Sequence, residues 1–514
     1  MRYLKSVLIL VALGGLAILV LRSIYPMPEE KAGADSFAIA PTDATALGAA
    51  ILQAEAVNPG KSAVLALADG REALAARVFL IRSAEVSLDV QYYIWQEDTT
   101  GLILLDELRK AAERGVRVRL LLDDNGIPGL DPVLAALDSL PTVEVRLFNP
   151  FTLRSPKLAS YLFDFPRLNR RMHNKSLTAD GIASVVGGRN VGDIYFSYGD
   201  GVHYFDLDVL VGGPGAEAVA DNFDLFWNSD ASWPAHQFLS AVPGALAELI
   251  EAAAQARETV LGSEYVGALR DSPLVRAIVS NALELEWAAV TLISDSPAKA
   301  TGEITRNDLL MTRVAELLQT PVRSVDLVSA YFIPGTRGTE FLTSLARKGV
   351  STRVLTNSLE ATDVPPVHGA YVSYRPELVA AGVEVLELRA NPEMPDEIDF
   401  AALLTGSASS LHAKTLGIDG ERIFIGSFNF DPRSVRLNTE MGFLIDSPTI
   451  TRSLSAALDQ QGSFYRVTEQ DGALAWAETT SDGTKILHTE EPGASTGTAI
   501  LFKLIDWLPV EWLL

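Results

Sequence analysis

The hydrophobic pattern opens on one unbroken run. Val7 to Leu21 contains only apolar residues and glycine, with Arg2 and Lys5 before it and Arg22 after it. Fifteen helical residues reach about 22 Å, short of a ~30 Å hydrocarbon core. Leu4, Ile24 and Tyr25 lengthen the stretch, and the long side chains of Lys5 and Arg22 can reach an interface. The nearest Ala-x-Ala, Ala32-Gly33-Ala34, lies late for a signal-peptide cut. The pattern therefore predicts an uncleaved transmembrane helix over 1–25. Basic residues precede it and Glu29, Glu30 and Asp35 follow. That asymmetry puts the N-terminus in the cytoplasm and the body across the membrane. In a bacterium this is a single-pass inner-membrane protein with a periplasmic body.

Residues 26–70 read as a linker with a lead-in helix near Asp43–Ala56. A β-α-β pattern follows. Val86–Ile94 is strand-like, and Thr99–Arg114 carries Leu102, Leu105 and Leu108 at helical spacing. Gly115 caps that helix, and Val116–Leu122 is a buried-strand run. The order returns in Val325–Phe332, Thr339–Lys348, Gly349 and Val350–Thr356. This is an internal repeat. Strands alternating with helices imply α/β halves with parallel or mixed sheets covered by helices. The predicted halves are 71–237 and 306–465, joined by a helical connector over 238–305 and followed by a tail over 466–514. Residues 466–495 are polar, without a clear apolar pattern. The last stretch, Ala499 to Leu514, is apolar with Trp507 and Trp512, suited either to docking on the core or to an interface.

Charge narrows the partners. The 514 residues carry a net charge of −23. Such a field repels phosphate backbones, so no nucleic acid is expected, and membrane contact must come from apolar segments. There is no cysteine, which excludes disulfides, thiol catalysis and Cys-ligated zinc.

Two copies of one motif carry the candidate chemistry. His173, Lys175 and Asp180 recur as His412, Lys414 and Asp419, a constant 239 residues on (412 − 173). Each copy continues to a small-residue turn, Gly187-Gly188 or Gly426-Ser427, and to Asn190 or Asn429. In an extended strand His and Lys at i, i+2 share a face. Asp180-Gly181 and Asp419-Gly420 read as hairpin turns rather than as members of a carboxylate cluster. Two His, two Lys and two Asn around one point form a cationic, donor-rich clamp for a phosphodiester, with no metal ligand set required. Asp206 and Glu440 start the next strand in each repeat and are the candidates to hold the two imidazole Nδ1–H groups.

These motifs, with Ser87–Ile94, Leu120–Asn125, Arg167–Ser176, Gly426–Ser434 and the closing Trp507–Leu514, resemble the phospholipase D superfamily and, within it, the C-type bacterial cardiolipin synthases. The likeness covers about residues 71–460. It implies a duplicated α-β-α sandwich, a covalent phosphohistidine and neither metal nor cofactor. It also implies phosphatidyl transfer from phosphatidylethanolamine or phosphatidylglycerol to phosphatidylglycerol. The superfamily's usual order makes His173 the nucleophile and His412 the acid/base, although pseudo-symmetry leaves the reverse open. A phospholipase D that passes the group to water is the alternative, and a nuclease on the same fold is disfavoured by the charge. Tyr195, Phe196, Phe428 and Phe430 are candidates to line an acceptor slot, each with a core role as its competitor.

Overall fold

A computed structural model describes residues 2–198, 203–259, 276, 285–305, 309–318, 323–390, 409–460, 462–480, 483–495, 497–498 and 502. Two mixed sheets form the body. In the first, β2 (Ser87–Ile94), β3 (Arg117–Gly126) and β4 (Val143–Phe148) run parallel. The antiparallel strands β5 (Ser176–Ala179), β6 (Ala183–Gly187), β8 (Asp208–Gly212) and β1 (Ser62–Leu67) continue outward from β2. In the second sheet, β12 (Ser324–Ser329), β13 (Ser351–Asn357) and β14 (Glu384–Leu388) repeat the parallel trio. There β16 (Lys414–Ile418), β17 (Arg422–Gly426) and β18 (Met441–Ile445) repeat the antiparallel arm. Short strands β7 (His203–Phe205) and β15 (Ser409–Leu411) pair parallel across the halves.

The duplication extends to register and ion pairs. Asp89 faces Arg119 across β2–β3 and accepts its Nε–H at 2.7 Å. Asp326 faces Arg353 across β12–β13 and accepts its Nε–H at 2.6 Å. The predicted first helix forms over Thr99–Glu113, started by Asp98, whose side chain accepts from Gly101 N–H, and followed by Gly115 at φ +93°. Between the sheets lies one shared apolar core. Val186, Val209 and Val211 of the first half pack in the same cluster as Val328, Ile423 and Phe443 of the second.

Several predicted boundaries move. The Ser62–Leu67 end of the predicted linker is a sheet strand, because its six residues bury most of their side chains between β8 and β10 (Glu286–Ala288). The connector ends as β10 on the first sheet and β11 (Val290–Ser294) on the second, so the second sheet begins before 306. The polar stretch after 465 forms β19 (Phe464–Gln470), β20 (Ala473–Thr479) and β21 (Lys485–His488), an edge that buries Tyr465, Val467 and Trp476 and leaves its other face wet. The apolar tail after 499 lies outside the described residues except Phe502, whose ring is 5.9 Å from that of His368.

The sequence expects a transmembrane helix over 1–25. A helix does form over Arg2–Ile24. Among the described residues, however, no helix is long and apolar enough to cross a membrane. The C-terminal end of the Arg2–Ile24 helix is held on the body. Arg22 Nε–H donates to Phe163 O at 2.7 Å, and Tyr25 stacks on Phe163 at 6.1 Å. Leu10, Val11, Leu16 and Leu19 along the helix are exposed.

Candidate active site

The chain segment leading to each motif histidine zips onto the segment leading to the other half's carboxylate. Thr439 N–H donates to Arg171 O at 3.0 Å and His173 N–H to Thr439 O at 2.9 Å. On the pseudo-symmetric side β15 pairs with β7, and His412 N–H donates to Phe205 O at 2.6 Å. The carboxylates are thereby exchanged. His173 Nδ1 meets Glu440 Oε2 at 2.9 Å, and His412 Nδ1 meets Asp206 Oδ2 at 2.5 Å. Both carboxylates are fully buried, and both imidazoles nearly so. The sequence named these four residues but not their crossed partnership.

The i, i+2 spacing turns each lysine back on its own motif. Lys175 Nζ donates to His173 O at 2.6 Å, and Lys414 Nζ likewise to His412 O. Ser427 Oγ donates to Glu440 Oε2 at 2.5 Å, and Glu440 N–H to Asp295 Oδ2 at 3.0 Å, where Lys299 Nζ also lies at 2.7 Å. Gly188 is required by close approach, since a Cβ there would stand 2.0 Å from Asp206 Oδ1. Asn190 Oδ1 accepts from Ile94 N–H at 3.1 Å. Asn429 is buried, and its Oδ1 has no partner among the described residues. Asp180 and Asp419 are not brought to the histidines. They sit in the hairpin turns at φ +48° and +59°. Asp180 accepts from Val86 and Ser87 N–H at 2.8 and 2.9 Å, and Asp419 from Ser324 N–H at 3.1 Å. Five residues of strand separate Asp180 from Lys175, roughly 16 Å.

Aromatic rings wall the imidazoles. Tyr93 lies edge-on to His173 at 5.0 Å, Tyr195 edge-on to His412 at 5.4 Å, and Tyr204 stacks on His412 at 5.2 Å. Of the predicted slot residues, Tyr195 therefore touches the site. Phe196 is buried against Arg77 in the first-half core. Phe428 and Phe430 line a cavity of about 970 Å³ with Met311, Ile333 and Phe341. Sequence reasoning passed over Tyr204, Tyr331, Asp363 and Lys299, which carry no motif signal. Tyr93 and Arg433 were readable, because both lie inside the runs that bear the family likeness.

Residues 78–224 and 314–461 match the family described as cardiolipin synthase, PLD-like domain. The chain belongs to this family. It is a phosphatidyltransferase of the phospholipase D superfamily. It is 42% identical to cardiolipin synthase C of Escherichia coli over 91% of this chain and 99% of that protein. It is 25% identical to the major cardiolipin synthase of Bacillus subtilis over 79% of this chain and 70% of that one. The phosphatidylserine synthase of Haemophilus influenzae shares the fold, with a TM-score of 0.56 at 15% identity, covering 90% of this chain and all of that structure.

In this phospholipase D-like site the crossed pairs differ electrostatically. Burial, helped by Lys175, Lys414, His412 and Arg433, pulls His173 well below its usual range, so it is neutral. Burial pushes Glu440 up to about 7, against the pull of Lys175 and the Ser427 hydroxyl. Burial also opposes ionisation of Asp206, but His412, Lys414 and Arg189 outweigh it and hold that carboxyl below its usual range. Burial and Lys414 lower His412, while the ionised Asp206 supports its charge. Burial brings Lys175 down to about 7, with Lys414 adding to the effect and Glu440 and Asp206 opposing it.

Proposed function

We propose that the enzyme makes cardiolipin by passing a phosphatidyl group from phosphatidylethanolamine or phosphatidylglycerol to a hydroxyl of phosphatidylglycerol. The observation that carries this reading is the crossed His–carboxylate pair of pairs closing over two buried lysines. His173, neutral and oriented through Nδ1 by Glu440, attacks phosphorus with Nε2. As the N–P bond forms, the P–O bond to the headgroup breaks, and the departing oxygen takes the proton of the His412 imidazolium. Neutral His412 then removes the proton of the acceptor hydroxyl. That oxygen attacks phosphorus, the N–P bond breaks, and His173 is released unchanged. Lys175 and Lys414 are proposed to hold the non-bridging oxygens through both steps, with Asn190 and Asn429 beside them. Asp180 and Asp419 support the strands that carry the lysines.

The lipid substrates reside in a membrane, and the exposed apolar face of the Arg2–Ile24 helix is the surface proposed to meet it. The same helix is proposed to span the membrane, and the basic residues before it and acidic residues after it favour a body outside the cytoplasm, so protease added to intact spheroplasts should digest it. Protection until lysis reverses that orientation. The reaction is tested with mixed phosphatidylethanolamine and phosphatidylglycerol vesicles and mass spectrometry of the products. Cardiolipin with little phosphatidic acid is expected. Phosphatidic acid as the main product, with acceptor in excess, refutes transfer to lipid.

A further inference from the structure

The pseudo-two-fold site is not symmetric in charge. On the His173 side the neighbouring charge is Arg433, braced by Asn169, to whose Oδ1 its Nη1 donates at 2.9 Å. On the His412 side it is Asp363, whose field reaches Lys414 and Tyr195. Tyr204 of the first half and Tyr331 of the second both donate their hydroxyls to Asp363 Oδ2, each at 2.9 Å. Tyr204 continues inward to stack on His412, and its ring lies 5.0 Å from that of Tyr195. Asp363 is exposed, while Tyr204 and Tyr331 are half-buried. Among the described residues Asp363 has no cationic partner, and none donates to its Oδ1. An exposed carboxylate whose Oδ1 takes no hydrogen bond from the described residues, walled by tyrosine rings and set beside a catalytic imidazole, offers what a primary ammonium needs. The carboxylate gives a charge-assisted hydrogen bond, and the ring faces attract the cation.

We propose that Asp363, Tyr204 and Tyr331 form the subsite for the leaving headgroup of the donor lipid and select a headgroup that ends in a primary ammonium. This rests on the transfer reading above, with His173 attacking and His412 protonating. In-line displacement places the departing oxygen opposite the attacking nitrogen, hence on the His412 side. As the N–P bond forms and the P–O bond breaks, that oxygen takes the His412 proton and an amino alcohol departs with its ammonium still on Asp363. A glycerol headgroup in the same place can donate hydroxyl hydrogen bonds to the carboxylate but brings no positive charge, so it forms no ion pair there. Tyr204 and Tyr331 position the carboxylate, and Tyr204 ties it to the imidazole it serves. The arrangement also needs both halves, because each contributes one tyrosine.

The test uses the full chain in vesicles with isotope-labelled phosphatidylethanolamine or phosphatidylglycerol as donor and unlabelled phosphatidylglycerol as acceptor in both. Released ethanolamine and glycerol are measured, so the readout does not depend on the acceptor. Asp363→Asn keeps an oxygen for the two tyrosine hydroxyls and removes the charge. The ratio of kcat/KM for ethanolamine over glycerol release should fall ~10-fold or more, mainly through KM, the size expected for one charged hydrogen bond. Asp363→Glu, which keeps the charge, should restore part of the ratio. An unchanged ratio, or equal loss against both donors, overturns the assignment. Wild-type enzyme that releases headgroup but forms phosphatidic acid instead of cardiolipin refutes the transfer reading, and the ratio still decides this one.

Discussion

Replacing Glu440 by Gln isolates what the buried carboxylate does for His173. The amide fills the same space, between Ser427 Oγ at 2.5 Å and His173 Nδ1 at 2.9 Å. It can also donate to Nδ1, which leaves the proton on Nε2 and removes the attacking lone pair. In the serine-protease triad the corresponding swap costs about 10⁴ in kcat, and a loss of that order is expected here. Stability should move the other way. Burial raises Glu440 from its ordinary 4.5 to about 7. Between those values the unfolded chain has released the proton and the folded one keeps it, so stability falls as pH rises through that window. The interval corresponds to roughly 3 kcal/mol above pH 7. Gln has no proton to lose and escapes that cost. Turnover on phosphatidylethanolamine and phosphatidylglycerol vesicles, with urea unfolding at pH 5 and pH 8, checks both halves of the reasoning. Glu440→Gln should lose turnover and show a smaller fall in stability from pH 5 to pH 8 than wild type. Near-normal turnover refutes the role in holding His173, and a larger pH-dependent fall than wild type refutes the electrostatics.

Other expectations follow from the same geometry. Asp206→Asn acts through His412, so transfer from phospholipids should drop ~10³-fold or more, whereas cleavage of an aryl phosphodiester, whose leaving group needs no proton, should be affected far less. Equal losses on both would place Asp206 on the attacking side. Because burial brings Lys175 to about 7, the empty site is partly deprotonated above that pH and an anion recharges it. Calorimetry of dimethyl phosphate binding in buffers of different ionisation enthalpy should then show proton uptake at pH 8 that fades below pH 6, and proton release would contradict the assignment. Asp180→Ala removes the acceptor of the Val86 and Ser87 amides. It should cost about 2–3 kcal/mol in urea unfolding, while the folded enzyme keeps most of its kcat; a loss comparable to His173→Ala would return Asp180 to the chemistry.

What the sequence made legible is what is local. The strand–helix–strand repeat is visible because apolar spacing and Gly115 or Gly349 act within a few residues. The motif carries its geometry in its own i, i+2 alternation. The hairpin turns were equally plain, since Asp-Gly tolerates the positive φ that a two-residue connection needs. The crossed pairing was not legible. It depends on β7 meeting β15 and Arg171 meeting Thr439 across more than 200 residues, and neither segment announces its partner. Nor was β1, an apolar run too short to distinguish from part of a helix. The N-terminal run was legible as apolar, but the hold of Phe163 on Arg22 and Tyr25 depends on a fold that lies far down the chain. Asp363 stands in a loop after β13 without motif or periodicity, and only Tyr204 and Tyr331 converging on it give it meaning.

Crossed carboxylates also explain how a duplicated chain comes to have one site with two different ends. Glu440 is built into the second half and Asp206 into the first, yet each is neutralised or paired by a histidine of the opposite half. A half on its own would hold a buried carboxyl with no imidazole, a costly arrangement, so the interface and the active site must form together. Once they form, the two-fold is broken at matched positions. At Ser427 the second half supplies a hydroxyl to Glu440, on the same oxygen that takes His173. At the corresponding place in the first half stands Gly188, and Asp206 instead receives the Leu207 N–H at 2.9 Å on Oδ1 while Oδ2 takes His412. The longer acid rises to about 7 beside a neutral imidazole, and the shorter one stays ionised beside an imidazole that can carry a proton. In the proposed mechanism the first environment suits attack on phosphorus and the second suits expulsion of an alcohol. Ser427 works against that difference, because its hydroxyl favours the ionised Glu440. Burial and the unequal cationic neighbours of the two acids therefore carry the asymmetry.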